Sequence, residues 1–163
     1  YGIAGIICPE ILKGNRRYGF AITDLKTGKQ GILASIDIKS GPQVSKYRVN
    51  LKDLEEIGVK ALLQAIEDVS VHVIVVDEIG KMELFSRKFE EAIRELLNST
   101  KPIIGVISYK YNHPLITHIK NRKEDTRIHY IHRGTPNYVR NKIKVEIIDA
   151  IEMFLQGRRN EKS

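Results

Sequence analysis

The chain has 163 residues, which is the usual size of one globular domain. Hydrophobic residues make up 42% and charged residues 29%, which excludes an intrinsically disordered chain. Lys and Arg outnumber Asp and Glu by 27 to 20, and the net charge of +7 favours an anionic partner without choosing among nucleotide, nucleic acid and membrane surface. The single cysteine, Cys8, excludes an internal disulfide and fits a reducing, cytoplasmic compartment. No apolar run approaches the ~20 residues of a membrane-spanning helix, so we expect no membrane insertion.

The first third of the chain predicts strands. Residues 3–8 (IAGIIC) are apolar and β-branched and end at a proline, as in a buried strand. Residues 18–25 alternate, and residues 31–35 return after a short turn, which predicts a hairpin. Residues 45–49 predict one more short strand.

Helical and strand patterns alternate over the middle of the chain. Asn50 suits the N-cap of a helix that runs to about residue 66. Residues 72–76 (HVIVV) are nearly continuous in β-branched side chains, as expected of a parallel strand covered on both faces. Ser86 caps a second helix, and residues 102–108 (PIIGVIS) predict another buried strand.

The last third predicts a weak strand over residues 126–131 and then a long helix. Thr135 is its predicted N-cap and Pro136 its first residue, and Gly157 ends it before a polar tail, residues 158–163. Its predicted inward stripe consists of Val139, Ile143, Ile147, Ile151 and Phe154. The alternation predicts one α/β domain over residues 1–157, with a mostly parallel sheet and an antiparallel hairpin insertion.

Chemistry concentrates in residues 73–83 (VIVVDEIGKME). A hydrophobic strand that ends in Asp77 and Glu78 puts two carboxylates at the carboxyl edge of a parallel sheet, where open α/β sheets bind ligands. In phosphate-hydrolysing folds, the first acid of such a Walker B pair holds Mg²⁺, and the second can deprotonate the attacking water. From the pair alone, two solvated carboxylates at a strand end are the favoured interpretation, because apolar strands that end in acids are common.

The string D-E-I-G-K-M-E-L-F-S, residues 77–86, resembles the signature of the small P-loop nucleoside-triphosphatases, which include the cancer-related nucleoside-triphosphatase and its thermophile relatives. The resemblance continues through residues 9–20, 45–50, 101–103 and 121–123. It implies a three-layer P-loop NTPase-like α/β fold. It also implies Mg²⁺-dependent hydrolysis of ATP, GTP and other nucleoside triphosphates to diphosphate and phosphate.

Carried onto this sequence, the resemblance makes Asp77 the metal ligand and Glu78 the catalytic base. It suggests Lys81, Glu10 and Arg122 as nucleotide-binding residues. For Lys81 a solvated turn lysine is the alternative, and for Glu10 an exposed acid. Arg122 lies in a charge run that is either a solvated loop or a phosphate-neutralising lid.

Two neighbours of this segment are predicted to be structural. We expect Glu83 to make a hydrogen bond at the start of the next helix. We expect Cys8, at the end of an apolar strand, to be a buried and unreactive thiol.

The sequence departs from the family pattern in one large respect. A P-loop requires G-x-x-x-x-G-K-[ST], and neither Gly-Lys pair of the chain, at residues 28–29 and 80–81, satisfies it. We therefore expect the first strand, the P-loop and the first helix, about 25–30 residues, to be missing from the chain as given, and this segment to be inactive alone. Cys8, Leu12 and residues 135–137 also stand where the family tends to carry Thr, Arg and Asn-Arg-Asp.

These departures leave two alternatives to hydrolysis. The chain could be a degenerate relative without a P-loop, acting as a nucleotide-sensing or RNA-associated module. The net positive charge favours the RNA-associated form, because cationic side chains neutralise phosphates. It could also be a nucleotide kinase, which shares the fold. The sequence does not indicate the oligomeric state.

Overall fold

The computed structural model describes residues 1–161, in which a β-rich stretch precedes alternating helices and strands. The strands are β1 (Ile3–Ile7), β2 (Glu10–Lys13), β3 (Arg16–Asp24), β4 (Gln30–Ser35), β5 (Gln43–Val44), β6 (Tyr47–Val49), β7 (Val73–Ile79) and β8 (Ile103–Ile107). The helices are α1 (Leu51–Asp53), α2 (Lys60–Glu67), α3 (Arg87–Asn98), α4 (Pro114–Asn121) and α5 (Asn137–Asn160). A π-helical stretch (Leu54–Val59) joins α1 to α2, and a 3₁₀ turn (Glu83–Phe85) precedes α3.

The chain divides into two compact units, Tyr1–Thr117 and His118–Ser163. All eight strands belong to the first unit, and α5 belongs to the second. No helix within residues 1–161 is both long and apolar enough to cross a lipid bilayer.

One mixed sheet contains all the strands, in the order β5-β6-β4-β3-β1-β7-β8, with β2 paired to β3 beside this path. Only β1, β7 and β8 run parallel to one another, and the remaining ladders are antiparallel. The predicted α/β class is therefore right, but the mostly parallel sheet is wrong. The antiparallel part extends beyond the predicted hairpin because residues 10–13 and 43–44 also form strands, which their short and partly polar sequences do not signal.

The parallel strands differ in burial. β7 lies between β1 and β8, and Val73, Ile74, Val76 and Ile79 are buried, as its continuous β-branched sequence predicts. β8 forms where predicted but is not a buried strand, because Val106 is 48% exposed and the other residues are half-buried or exposed. The reason is its place at the end of the sheet, where it has one neighbour among the described strands.

Helix caps predicted from sequence are present in the first unit. The Asn50 Oδ1 accepts a hydrogen bond from the Asp53 N–H at 3.1 Å, and the Ser86 Oγ accepts one from the Phe89 N–H at 3.1 Å. The Ser86 hydroxyl also donates to Glu55 Oε1 at 2.9 Å, which ties the start of α3 to the π-helical stretch. α3 is thus held at its first residue, directly after the acidic segment.

The predicted strand over residues 126–131 is wrong, because no β-ladder forms there. A strand needs a neighbouring strand for its backbone N–H and C=O groups, and no strand of the described residues pairs with this segment. The helix α5 that follows begins at Asn137, one residue later than predicted. Thr135 Oγ1 accepts a hydrogen bond from the His132 N–H instead of capping the helix.

The far end of α5 also differs from expectation. Gly157 does not end the helix, which continues to Asn160, so most of the predicted tail is helical, and Lys162 and Ser163 lie outside the described residues. Phe154 is exposed, and the neighbouring Leu155 is buried in its place. A single glycine costs a helix only about 1 kcal/mol relative to alanine, which is too little to stop a 24-residue helix.

Candidate active site

The two predicted catalytic carboxylates lie at the carboxyl end of the three parallel strands. In the β-ladders Asp77 is the partner of Ile7 in β1 and of Val106 in β8. Glu78 is the extra residue of a β-bulge, because the register with β8 shifts between Asp77 and Ile79. Bulges re-aim side chains and are common beside active sites. The peptide bond between Asp77 and Glu78 is cis.

Asp77 and Glu78 are partly buried, and neither forms an ion pair with a cationic side chain of residues 1–161. Partial burial raises the pKa of Asp77 above its ordinary value. Burial also raises the pKa of Glu78, and the negative charge of Asp77 raises it further. Since such shifts disfavour the ionised forms, a bound cation would stabilise this pair.

A third carboxyl, that of Glu83, lies beneath the pair. Its side chain is only 2% exposed, and burial, with the charges of Glu78 and Asp77, raises its pKa to about 8. The N–H of Gly80 donates a hydrogen bond to Glu83 Oε2 at 3.1 Å. The predicted structural hydrogen bond of Glu83 is therefore confirmed, although its donor is the Gly80 amide and not a group of the next helix.

Gly80 lies between the two glutamates because it has no Cβ. A Cβ placed on it would lie 2.8 Å from Glu78 Oε1 and 3.1 Å from Glu83 Oε2. The carboxyls of Glu78 and Glu83 therefore approach the same glycine. The sequence suggests a flexible turn at Gly80, whereas the structure uses the space that the missing side chain leaves.

Cys8 follows β1 and faces the same carboxylates. Burial raises the pKa of its thiol far above the ordinary value, and the nearby charges of Glu83 and Asp77 act in the same direction. Cys8 is half-buried, so the predicted full burial is wrong, while the raised pKa favours the protonated thiol that the prediction of an unreactive residue requires.

The three suggested nucleotide ligands lie in different surroundings. Lys81 follows Gly80 in the chain and is exposed to solvent. Glu10 lies on β2, where its Oε1 is 2.5 Å from Nη2 of Arg17. Arg122 follows α4 in the second unit, where its Nε donates to Asp125 Oδ1 at 3.1 Å. Contact of any of them with a nucleotide stays a prediction.

The chemistry of the donor set fits magnesium. Within residues 1–161 no group of three or more His, Cys, Asp and Glu side chains forms a complete metal cage. Mg²⁺ does not require one, because it usually keeps several waters and binds one or two carboxylates together with substrate phosphates. Asp77, at the sheet edge and without a cationic partner that would lower its pKa, is the carboxylate that would hold it.

Comparison with known proteins decides the family, because the model of the NTPase family matches residues 1–147. The chain belongs to this family. It is 41% identical over 145 residues to nucleoside-triphosphatase THEP1 of Methanosarcina barkeri, covering 88% of this chain and 81% of that protein. It is 47% identical over 120 residues to nucleoside-triphosphatase THEP1 of Thermotoga maritima, covering 74% and 67% of the two chains. The predicted nucleoside-triphosphatase family is confirmed.

Solved structures of the NTPase family agree with this fold. The solution structure of a human cancer-related nucleoside triphosphatase has a TM-score of 0.69 and 30% sequence identity, covering 89% of this chain and 81% of that chain. The crystal structure of THEP1 from Aquifex aeolicus has a TM-score of 0.63 and 33% identity, covering 73% and 69%. The P-loop NTPase-like α/β fold predicted from sequence is thus confirmed.

The sequence predicts the acidic pair but not the contacts that Gly80 and Glu83 make with it. One signal was available, namely a glycine placed between two glutamates that are five residues apart. Close approach of other atoms is a common reason for glycine at such a position. That signal does not reveal that both carboxyls meet at the glycine, because the turn that brings Glu83 back forms only in the folded chain.

Proposed function

We propose that the protein hydrolyses nucleoside triphosphates, ATP and GTP among them, to the diphosphate and phosphate with Mg²⁺ in the cytoplasm. The observation that carries the proposal is the pair Asp77 and Glu78 at the carboxyl edge of the parallel strands, with the pKa of both raised. Membership of the NTPase family supports the same reaction class.

Glu78 is the base of the proposed reaction. Its carboxylate accepts a proton from a water molecule, whose oxygen attacks the γ-phosphorus of the nucleotide. The bond between that phosphorus and the oxygen that bridges to the β-phosphate breaks, and the diphosphate leaves with the electron pair. Partial burial and the neighbouring Asp77 raise the pKa of Glu78, which makes its carboxylate a better proton acceptor than a solvated one.

Asp77 would hold the metal ion, which would supply neutralisation of charge on the phosphates when it is bound. The aspartate is the residue of the pair that stays in register with both neighbouring strands. A rigid backbone holds a metal ligand at a constant place relative to the base that follows it.

A phosphate-binding loop completes the proposal, and we expect it outside the residues given. The support is the open edge of β8, which lies at the end of the sheet while Val106 remains exposed. The outer edge of β8 has no ladder partner among the described strands, and an exposed edge presents backbone N–H and C=O groups to which another strand can pair. A strand paired there would bring a following loop to the same carboxyl edge as Asp77.

Phosphate release from the full-length gene product tests the function. We expect hydrolysis of several nucleoside triphosphates without an added acceptor or RNA, abolished by chelation of Mg²⁺. Glu78→Gln should lower kcat by about 10²- to 10⁴-fold, whereas Glu95→Gln, on the exposed side of α3, should not change it.

Transfer of phosphate only to an added acceptor would support a kinase instead. Salt-sensitive RNA binding without hydrolysis would support the binding module.

A further inference from the structure

We propose that Glu83 is a positioning residue for Glu78. Glu83 accepts a hydrogen bond from the amide of Gly80 and so fixes the backbone of Gly80, against which the catalytic carboxylate of Glu78 packs. This inference rests on the proposed function and adds a residue to the same site. It concerns a buried acid that the hydrolysis step does not itself use.

The first half of the argument is the turn that Glu83 closes. The Gly80 N–H donates to Glu83 Oε2 at 3.1 Å, and the Leu84 N–H donates back to the Gly80 carbonyl at 3.0 Å. Both Gly80 and Glu83 are buried, so water does not compete for the first bond. Hydrogen bonds to a buried acceptor are costly to leave unmade, and the turn from Gly80 to Leu84 is therefore rigid.

The second half is the contact between this turn and Glu78. The position of a Cβ on Gly80 lies 2.8 Å from Glu78 Oε1 and 3.2 Å from Glu78 Cδ. The carboxyl of Glu78 thus packs directly on the bare Cα of Gly80. If the Gly80 amide moved away from Glu83, this support would move with it.

The hydrogen bonds of Ser86 fix the position of the turn that contains Gly80 and Glu83. The Ser86 N–H donates to the Glu83 carbonyl at 3.1 Å, and the Ser86 hydroxyl donates to Glu55 Oε1 at 2.9 Å. Glu83 is therefore held from the start of α3, and it transmits that position through Gly80 to Glu78. A purely stabilising role would require the hydrogen bond but not the contact with the catalytic carboxyl.

Two variants of Glu83 in the full-length protein test the proposal. Glu83→Ala removes the acceptor and should lower kcat by up to about 10²-fold, the cost of displacing a catalytic group by about 1 Å, with KM changed less than about threefold. Glu83→Gln keeps an oxygen for the Gly80 amide and should recover at least about tenfold of that loss. Burial raises the pKa of Glu83 and so favours its neutral carboxyl, which makes the neutral and isosteric glutamine the conservative replacement. Glu95→Ala, at an exposed position of α3, is the matched control.

Three results would overturn the proposal: full kcat in Glu83→Ala, loss of kcat in Glu83→Gln as severe as in Glu83→Ala, or equal changes in KM and kcat. Because Glu83→Ala removes a buried side chain, its melting temperature must be measured alongside. If it does not fold, the kcat of Glu83→Gln alone decides, and a loss approaching 10²-fold counts against the proposal.

A second readout separates this proposal from the proposed function. In protein labelled with ¹⁵N-glycine, the Gly80 amide resonance can be assigned from its absence in Gly80→Ala. It should move in Glu83→Ala, stay near the wild-type position in Glu83→Gln, and respond to Glu78→Gln. If wild-type protein hydrolyses no nucleotide, the proposed function fails, and these shifts still decide whether Glu83 and Gly80 support Glu78. A Gly80 resonance that is indifferent to Glu83→Ala would refute the contact.

Discussion

The two ends of β7 treat their carboxylates in opposite ways. Just before the strand, Asp68 forms an ion pair with Lys26 and accepts hydrogen bonds from Ser70, and these contacts hold its pKa well below the ordinary range. Near the carboxyl end of the strand, Asp77 and Glu78 have their pKa raised by burial. One end of the strand neutralises its acids, and the other leaves them without a cation.

The charged side chains before β7 bind other groups of the protein and stabilise the fold. The ammonium of Lys101 donates to the carbonyls of Ala65 and Asp68 at 2.8 and 2.6 Å, which satisfies the end of α2. A cavity of about 430 Å³ adjoins this end, with Lys26 and Asp68 among its lining residues. Because Lys26 and Asp68 already bind each other, this cavity is a poor candidate for the site.

The carboxyl end of β7, which carries Asp77 and Glu78, has the electrostatic character of a cation-binding site. Buried acids without a cation lower the stability of the folded chain, and such arrangements cluster at functional sites. The comparison therefore suggests that stability is lost at the carboxyl edge and regained when a cation and phosphates bind there. The following predictions probe each end of β7.

Among the changes that leave Asp77 and Glu78 in place, Gly80→Ala should have the largest effect. The new Cβ would lie 2.8 Å from Glu78 Oε1, closer than real Cβ contacts, so the carboxylate of Glu78 must move. We expect kcat of the full-length protein to fall by about 10²-fold. Gly157→Ala, where a Cβ meets nothing within 4 Å, is the matched control and should stabilise α5 by about 0.5–1 kcal/mol. Unchanged turnover in Gly80→Ala would show that Glu78 does not depend on this contact.

The pH dependence of unfolding should reveal Glu83. Its pKa is about 8 in the folded state against an ordinary 4.5, so the folded state binds the proton more tightly than the unfolded state does. The free energy of unfolding should therefore decrease as pH rises from about 4.5 to 8, by an amount on the order of a few kcal/mol. Chemical denaturation of wild type and Glu83→Gln across this range measures it. The glutamine variant should lose less stability, and parallel curves for the two proteins would contradict the assignment.

Asp68→Asn should have the smallest effect. The variant loses the ion pair with Lys26, and exposed pairs of this kind contribute little. We expect a slightly lower melting temperature at pH 7. The difference from wild type should shrink in high salt. It should also begin to shrink as pH falls below the ordinary pKa of 3.8, and disappear only at the lower pH at which Asp68 is protonated in the folded protein as well. A difference that persists at low pH would assign another role to Asp68.

Local patterns in the sequence are sufficient to predict β1, β7 and the capping of α3 by Ser86, because apolar runs and N-caps act over a few residues. They also place Asp77 and Glu78 at a strand end. They fail for residues 126–131, which are apolar enough for a strand but have no partner strand in the described chain. A strand is a property of two segments, and only one of them can be read from a local pattern.

The same reason explains the missed role of Glu83. Its distance from Glu78 along the chain is visible, but its burial depends on the Gly80 turn and on the packing of the following 3₁₀ turn. Side-chain burial of a glutamate is rare enough that a sequence-based prediction favours an exposed one. The contacts that override this preference exist only in the folded chain.

The most direct test compares Glu78→Gln with Asp68→Asn in one experiment on the full-length protein. Mg²⁺-dependent phosphate release and melting temperature should be measured for both variants. We predict that Glu78→Gln loses at least about 10²-fold in kcat without loss of stability. Asp68→Asn should keep its kcat and lose stability. Hydrolysis by Glu78→Gln within about threefold of wild type, far less than the usual cost of losing a general base, would contradict the assignment of the carboxyl edge as the catalytic site.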